Sequence, residues 1–229
     1  MKLAIMQPYF LPYIGYWQLI NSVDKFVVYD DVNYIKSGWI NRNNILIEGK
    51  KYLFSIKLNG ASSFKLINEV GILDDFVKFV KTIEINYHNA PYYKEVFNNI
   101  TKMINFDKSN LAKFIYNSIN IICNYLNIKT ELLLSSELSK DNTLKAQSKV
   151  IDICKRLEAD TYYNTIGGKD LYSVDVFREN GIDLKFIQTK FIPYTQFNNE
   201  FVAGLSIIDI MMFNDVKTIH KMLGEYSLE

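Results

Sequence analysis

Met1-Lys2-Leu3-Ala4-Ile5-Met6-Gln7-Pro8-Tyr9-Phe10-Leu11-Pro12-Tyr13-Ile14-Gly15-Tyr16-Trp17-Gln18-Leu19-Ile20 opens the chain and decides its fold class. Leu3 to Met6 is a short apolar run of the kind that forms a buried strand. Pro12 stands where the first turn of a helix tolerates proline, because the N–H it lacks would be unpaired there anyway. Ile14, Trp17, Leu19 and Ile20 supply the apolar side of that helix, which the sequence stops near Asn21. Lys25 to Asp30 (Lys-Phe-Val-Val-Tyr-Asp) is β-branched, apolar and bounded by polar residues, so it reads as a second buried strand. Strand, helix and strand within thirty residues make a βαβ unit, whose crossover is right-handed and whose strands are parallel. The expected class is therefore α/β, Rossmann-like, with a mostly parallel sheet. In that class the loop after the first strand faces a ligand at the strand's carboxyl end. Here the loop carries Gln7, Tyr9, Tyr13 and Tyr16, one amide and three phenols, read as a substrate-facing set. The competing reading is a tyrosine cluster that packs the loop. Gly15 reads as a point of close helix–strand approach.

Ile45 to Ile47 and Tyr52 to Leu58 flank Glu48-Gly49-Lys50 and predict a hairpin. Ile67 to Ile72 predicts a short strand. Residues from about 74 to 127 turn helical: Phe76, Val77, Val80 and Ile83, then Val96, Ile100, Met103 and Ile104, recur at three- and four-residue spacing. Ala90-Pro91 breaks these two helices apart, and Leu111 to Leu126 forms a third. This stretch is expected to be a helical cap or insertion in a single domain spanning residues 1–229. The α/β rhythm then returns: a strand at Leu132 to Leu134, a helix at Leu144 to Leu157, a strand at Thr161 to Asn164, a helix at Val174 to Asn180, a strand at Leu184 to Gln188, and a helix at Ser206 to Phe213.

Composition excludes several function classes. The 229 residues are 48% hydrophobic and 14% aromatic, enough to build a sizeable core. Basic and acidic residues number 26 and 25, giving a net charge of +1 with no basic stripe, so no nucleic-acid partner is expected. Cys123 and Cys154, each in an apolar helical stretch, read as buried small hydrophobes and fit no metal spacing. With His88 and His220 as the two histidines, no metal site is expected. The opening has only four apolar residues before Gln7 and Pro8, so no signal peptide and no membrane span are expected, and the protein reads as cytoplasmic.

Further site candidates follow the same rule of strand ends and loops. Asp30 and Asp31 close the second strand, where a carboxylate accepts from sugar hydroxyls or holds an amine, and Asp31 is the preferred catalytic carboxylate. Trp39, Asn41, Arg42 and Asn43 place an aromatic, two amides and a guanidinium in one segment, suited to a phosphate-bearing ligand. The alternative for Arg42 is a structural salt bridge to Asp30 or Asp31. His88, before Ala90-Pro91, is a candidate general base or a helix-end capping residue. Ser135 follows a buried strand, as a phosphate-facing hydroxyl or a cap. Gly168 and Lys169 lack P-loop spacing yet offer backbone N–H groups and an ammonium to an anion. Tyr194 and Gln196 are candidates for a far wall. Asp209, set among isoleucines, is either a structural anchor or a site acid, since a buried carboxylate requires a partner.

Two resemblances add to this reading. Leu11-Pro12-Tyr13-Ile14-Gly15-Tyr16 is similar in register to the His-x-Gly-His signature of nucleotidylyltransferases and pantothenate-synthetase-like enzymes, with Tyr13 and Tyr16 where the histidines would stand. A phenol stays neutral near pH 7 and supplies no cationic clamp for a triphosphate, so adenylyl transfer is disfavoured while the fold class is supported. More specifically, Gln7-Pro8-x-x-Leu11-Pro12-x-x-Gly15-Tyr16-Trp17, Asp30-Asp31-Val32, Trp39-Ile40-Asn41-Arg42-Asn43, Tyr87-x-x-Ala90-Pro91-Tyr92-Tyr93, Ser135-Ser136, Pro193-Tyr194-x-Gln196 and Leu205-Ser206-Ile207-Ile208-Asp209 resemble the WbqC-like family of bacterial surface-polysaccharide genes over nearly the whole chain. That resemblance implies a role in O-antigen and lipopolysaccharide assembly, as a transferase placing an aminoacyl (glycyl among them) or acyl group on an amino-sugar nucleotide. No cofactor is firmly indicated. The donor it calls for is a carrier-protein- or CoA-bound acyl group. The competing functions are a non-catalytic module that binds a carrier protein or a glycan enzyme, and a degenerate nucleotidylyltransferase.

Overall fold

A computed structural model describes residues 1–229. In chain order the elements are β1 (Lys2–Met6), α1 (Ile14–Asn21), β2 (Lys25–Val28), β3 (Arg42–Ile47), β4 (Lys50–Ser55), β5 (Leu58–Asn59), β6 (Gly71–Ile72), α2 (Val77–Tyr87), α3 (Tyr93–Ile104), α4 (Leu111–Tyr125), β7 (Glu131–Leu134), α5 (Ala146–Arg156), β8 (Thr161–Thr165), α6 (Val174–Glu179), β9 (Asp183–Thr189), α7 (Ile207–Phe213), α8 (Val216–Leu223) and β10 (Tyr226–Leu228). The main sheet is ordered β10-β9-β8-β1-β2-β7. Its first five strands in sequence pair in parallel, with Leu3 opposite both Lys25 and Tyr162, and β10 joins β9 antiparallel. This is an α/β, Rossmann-like arrangement. The chain builds outward from β1 to β2 and β7, then returns to the other side of β1 to add β8. That reversal puts a crevice beyond the carboxyl ends of β1 and β8, the usual place for a ligand in open α/β sheets.

The strands form because a parallel sheet covered on both faces needs apolar side chains at every position. Alternate residues serve opposite layers. Ala4, Phe26, Val28 and Ile187 enter a core of 48 buried residues that also takes Trp17 of α1 and the helices α2 to α4, α7 and α8. Leu3, Ile5, Val27 and Phe186 enter a core of 13, closed by Val150 and Ile153 of α5 and Phe177 of α6. Cys123 and Cys154 are buried free thiols, one in each core, and burial pushes both up to about 12. No helix is long and apolar enough to cross a membrane.

Between β2 and β7 lies the long excursion. It contains the β3–β4 hairpin, the short β5–β6 pair and the three helices α2, α3 and α4 that the periodicity predicts. Two details depart from the sequence expectation. Pairing of Arg42 with Ser55 and Asn43 with Phe54 extends the hairpin, so these two residues begin a strand rather than end a loop. Ile67–Glu69 is a 3-10 turn, closed by the Leu66 N–H donating to the Glu69 carboxylate at 2.8 Å, and only Gly71–Ile72 is strand. At the other end of the chain, α8 and β10 add elements that the sequence reading did not foresee. Gly15 is where α1 passes the end of β9. A Cβ there would sit 2.3 Å from Thr189 Oγ1 and 2.5 Å from the Tyr13 ring, so a larger residue forces both to move.

Candidate functional site

The loop after β1 is bent by Leu11, whose backbone is left-handed (φ +51°) although the residue is a fully packed leucine. A non-glycine residue in that region stores roughly 1–3 kcal/mol and persists only where its surroundings over-determine it. Here the surroundings do. The Leu11 carbonyl accepts from Asn43 Nδ2 at 2.8 Å and from Ser206 Oγ at 2.7 Å. The next carbonyl in the chain, that of Pro12, accepts from Trp17 Nε1 at 3.1 Å and from the Ile207 N–H at 2.9 Å. Strand β3, helix α1 and helix α7 thus clamp the loop from three sides.

The clamp leaves a cavity of about 270 Å³ at the carboxyl end of β1. Tyr9, Tyr13, Trp39 and Phe191 are its aromatic walls, Asn43 and Asn44 its amides, and Pro12 and Gly204 complete it. Trp39 and Phe191 are 47% and 42% exposed, unusual for large aromatics and concentrated at one opening. The side chains of Tyr9, Trp39 and Asn44, which line the cavity, make no hydrogen bond within the chain. Burial, with Tyr13 beside it, pushes the Tyr9 phenol up, and burial raises Tyr13 against the opposing Thr189 hydroxyl. Both phenols therefore remain protonated donors at neutral pH. Arg42 stands over the Trp39 ring at 5.5 Å. Its guanidinium donates to the carbonyls of Gly38 (2.8 Å) and Ser37, and it forms no ion pair with Asp30 or Asp31.

Of the residues singled out in sequence, Tyr9, Tyr13, Trp39 and Asn43 meet in this cavity, with Arg42 behind Trp39. Tyr16 is buried and donates to the Gln7 carbonyl at 3.0 Å, while the Gln7 side chain is half-buried outside the cavity lining. Asn41 accepts from the Tyr34 hydroxyl and donates to the Ile56 carbonyl, joining the loop to the hairpin. Asn44, Phe191, Pro12 and Gly204 were not anticipated. Phe191 follows the carboxyl end of β9, so the strand-end rule that singled out the first loop would have found it as well.

A second group forms at the ends of β2 and β7. Asp30 is buried and fully engaged: it accepts from Ser136 N–H (2.9 Å), Ser136 Oγ (2.6 Å) and Asn68 Nδ2 (3.2 Å). Asp31 lies instead between two lysines, with its Oδ2 2.9 Å from Lys140 Nζ and 3.0 Å from Lys149 Nζ. Burial alone would raise the Asp31 carboxyl, but the Ser135 hydroxyl and the two ammoniums outweigh it and hold it below the usual carboxylate range. The buried Ser135 hydroxyl lies beside that carboxylate, and neither it nor Asp31 Oδ1 has another hydrogen-bond partner.

Tyr194 and Gln196 belong to a third group, centred on Asp209. That carboxylate is completely buried and accepts from Tyr87 (2.7 Å), Tyr194 (2.6 Å) and Gln196 Nε2 (2.7 Å). Gln196 also bonds both backbone groups of Val202, and the Tyr87 hydroxyl accepts from the Leu46 N–H at 2.8 Å. The group ties α2, β3, α7 and the 194–202 loop together behind the cavity. The remaining candidates lie apart. His88 is exposed at the end of α2, its Nδ1 against the Glu84 and Ile85 carbonyls. Lys169 pairs with Glu229 at 2.7 Å on the surface, and Gly168 packs on the Asn164 amide.

Comparison with known proteins places this chain. An uncharacterized protein of Mycobacterium tuberculosis is 28% identical over 217 residues, covering 92% of each chain. No solved structure matches. The model of the WbqC-like protein family matches residues 7–221, from the first loop to α8. The chain belongs to the WbqC-like protein family.

Proposed function

We propose that the cavity beyond β1 binds a nucleotide-linked amino sugar and that the protein transfers an aminoacyl, such as glycyl, or acyl group to the sugar's amine in surface-glycan assembly. The observation that carries this reading is the combination of aromatic walls, unengaged polar groups and a guanidinium free of carboxylate partners around one opening. A sugar ring offers apolar faces to aromatics and hydroxyl edges to amides and phenols. A guanidinium forks onto phosphate oxygens. The family resemblance supplies the biological setting.

In this reading the donor is a carrier-protein- or CoA-bound thioester. The neutral amine attacks the thioester carbonyl carbon, the C–N bond forms, and the C–S bond breaks. The departing thiolate takes the proton that the nitrogen loses, so the products are an amide and a thiol. Tyr9 and Tyr13, protonated and facing the cavity, donate to the oxygen that becomes negative in the transition state. Asp31, with its depressed pKa and two ammonium partners, is a weak proton acceptor, and His88 stands outside the cavity lining. Catalysis then rests on positioning and on electrostatic stabilisation.

The same lack of a basic side chain in the cavity favours a second reading, a docking module for a carrier protein or glycan enzyme. Incubating the protein with a panel of nucleotide-linked amino sugars and aminoacyl- or acyl-thioester donors separates the two. Mass spectrometry should find the acylated sugar nucleotide. Trp39→Ala and Arg42→Ala should each lower kcat/KM about tenfold, the loss of about 1.4 kcal/mol from one stacking or phosphate contact. No product across the panel, with carrier binding intact, would establish the docking module instead.

A further inference from the structure

Strand β4 has one edge bonded to β3 and one edge left open. Register decides which backbone groups point to which side. In an antiparallel pair, residues that exchange both bonds with the neighbour alternate with residues that turn both groups away. The Ile56 N–H donates to the Asn41 carbonyl at 2.8 Å, and the pairing then runs from Arg42 opposite Ser55 to Ile47 opposite Lys50. Phe54, Tyr52 and Lys50 are therefore the residues bonded to β3, and Lys51, Leu53 and Ser55 face outward. The far side of β3 shows the same parity: the Asn44 carbonyl accepts from the Ser206 N–H, and the Leu46 N–H donates to the Tyr87 hydroxyl. No N–H or C=O of Lys51, Leu53 or Ser55 finds a partner in the chain. Two residues on, the edge is filled. The Lys57 carbonyl accepts from the Leu73 N–H at 2.9 Å, and the Lys57 N–H donates to Asp74 Oδ2 at 2.9 Å. The chain runs from β6 along this edge only as far as Asp74, then turns off into α2 through Phe76, which is left-handed at φ +62°. Beside Lys51 to Ser55 that leaves a groove of about 210 Å³, with Lys78, Phe79 and Thr82 of α2 as its other wall.

An open edge of this kind is a template for another strand, and proteins that stay apart cover it, bulge it or charge it. Here Tyr52 and Leu53 are 38% and 49% exposed, and the lysines Lys50 and Lys51 stand at one end only. We infer that the β4 edge is the interface of a two-fold dimer, in which β4 pairs antiparallel with β4 of a second copy about an axis at Leu53. Leu53 then exchanges both bonds with its own counterpart, and Lys51 exchanges them with Ser55 of the second copy, so every open group on both strands is satisfied. Tyr52 comes to lie opposite Phe54 of the second copy, at the closer, non-hydrogen-bonded spacing. Phe79 stands beside that pair, its ring centre 4.9 Å from that of Phe54. Charge selects the same partner and direction. Antiparallel pairing keeps the two sets of lysines apart and brings Lys50 opposite Ile56 of the second copy, at the end of the groove that holds Asp74 and Asp75 between Lys57 and Lys78. Both aspartates accept only from backbone N–H groups, Asp74 from Lys57 and Phe76 and Asp75 from Val77, so their charge is free to meet an ammonium. This inference does not depend on the transferase reading, since none of these residues lines the aromatic cavity.

Sedimentation equilibrium of the full chain from micromolar to sub-millimolar concentration, with amide hydrogen exchange over the same range, tests this. The wild type should pass from monomer to dimer. As it does, the amides of Lys51, Leu53 and Ser55 should slow at least about tenfold, while those of Tyr52 and Phe54, already bonded to β3, should not change. Leu53→Pro removes an outward N–H that serves nothing within the chain, on an edge strand where proline is tolerated. It should keep the wild-type far-UV circular dichroism and pair with its copy at least about tenfold more weakly. A wild type that stays monomeric at the top of the range overturns the inference. So does a dimer whose Lys51, Leu53 and Ser55 amides exchange as they do in the monomer, because its contact lies elsewhere. A folded Leu53→Pro that dimerises like the wild type overturns it as well. If Leu53→Pro does not fold, the exchange of the wild-type amides decides alone.

Discussion

Replacing Asp209 with alanine is expected to lower the unfolding free energy by about 3–5 kcal/mol, the range for removing one partner from a buried charged network. The Asp209 carboxylate is fully buried and is the common acceptor for Tyr87, Tyr194 and Gln196. Without it, two phenols and an amide lose their partner in a place water does not reach, and each buried orphan costs about 1–3 kcal/mol. Filling the space with an apolar side chain does not recover this, because the donors remain. In a chain of this size such a loss lowers the melting temperature by roughly 10 °C. Asp209→Asn, which keeps one acceptor oxygen and the shape, should lose less. Asparagine also removes a pH dependence. Burial raises the Asp209 carboxyl above its ordinary pKa despite its three hydrogen bonds, so its contribution is full below the unfolded value and declines as pH rises through the folded one. Urea unfolding of the three proteins at several pH values measures both effects. A wild-type-like midpoint for Asp209→Ala would mean that the network does not hold the back of the cavity.

Asp31→Asn should be comparably damaging, for the opposite electrostatic reason. It strips the carboxylate that ion-pairs with Lys140 and Lys149, whose side chains are 1% and 9% exposed, and uncompensated buried charge again costs about 3–5 kcal/mol. The sign of the pH effect is reversed as well. The Asp31 carboxyl is held below its ordinary pKa, so the stability it contributes is complete above the unfolded value of about 3.9 and is lost as pH falls through the depressed folded value. The gap between wild type and Asp31→Asn should therefore be widest near neutrality and close in acid. Urea midpoints from pH 7 down through the acid limb test this. A gap that stays constant with pH would show that the two lysines do not depend on this carboxylate.

The fold was legible because the first thirty residues contain a complete βαβ unit, and its local signals agree with the packing: buried strands at Leu3 to Met6 and Phe26 to Val28, and glycine where α1 meets β9. The later elements α8 and β10 were less legible. Val216–Leu223 is a short amphipathic helix, and Tyr226–Leu228 is held as a strand by its antiparallel pairing with β9 rather than by any pattern of its own. The site was legible in part. Tyr9, Tyr13, Trp39 and Asn43 could be named because they lie in or next to loops that strand ends project. That Asn43 spends its amide on the Leu11 carbonyl, or that Gln196 serves Asp209, depends on contacts across 32 and 13 residues that sequence spacing does not encode. Lys140 and Lys149 were missed for the same reason. In sequence they sit in a polar stretch and look like surface lysines, and only the return of the chain past β7 brings them onto Asp31.

The chain's two tryptophans make the cavity directly observable. Trp17 is buried with no exposed surface, whereas Trp39 lines the cavity and is half exposed. Titration with nucleotide-linked amino sugars, followed by tryptophan fluorescence, should give a saturable change that disappears in Trp39→Phe and shifts to about tenfold higher concentration in Arg42→Ala. No saturable change with any such sugar, or an undiminished change in Trp39→Phe, would contradict the assignment of this cavity as the ligand site.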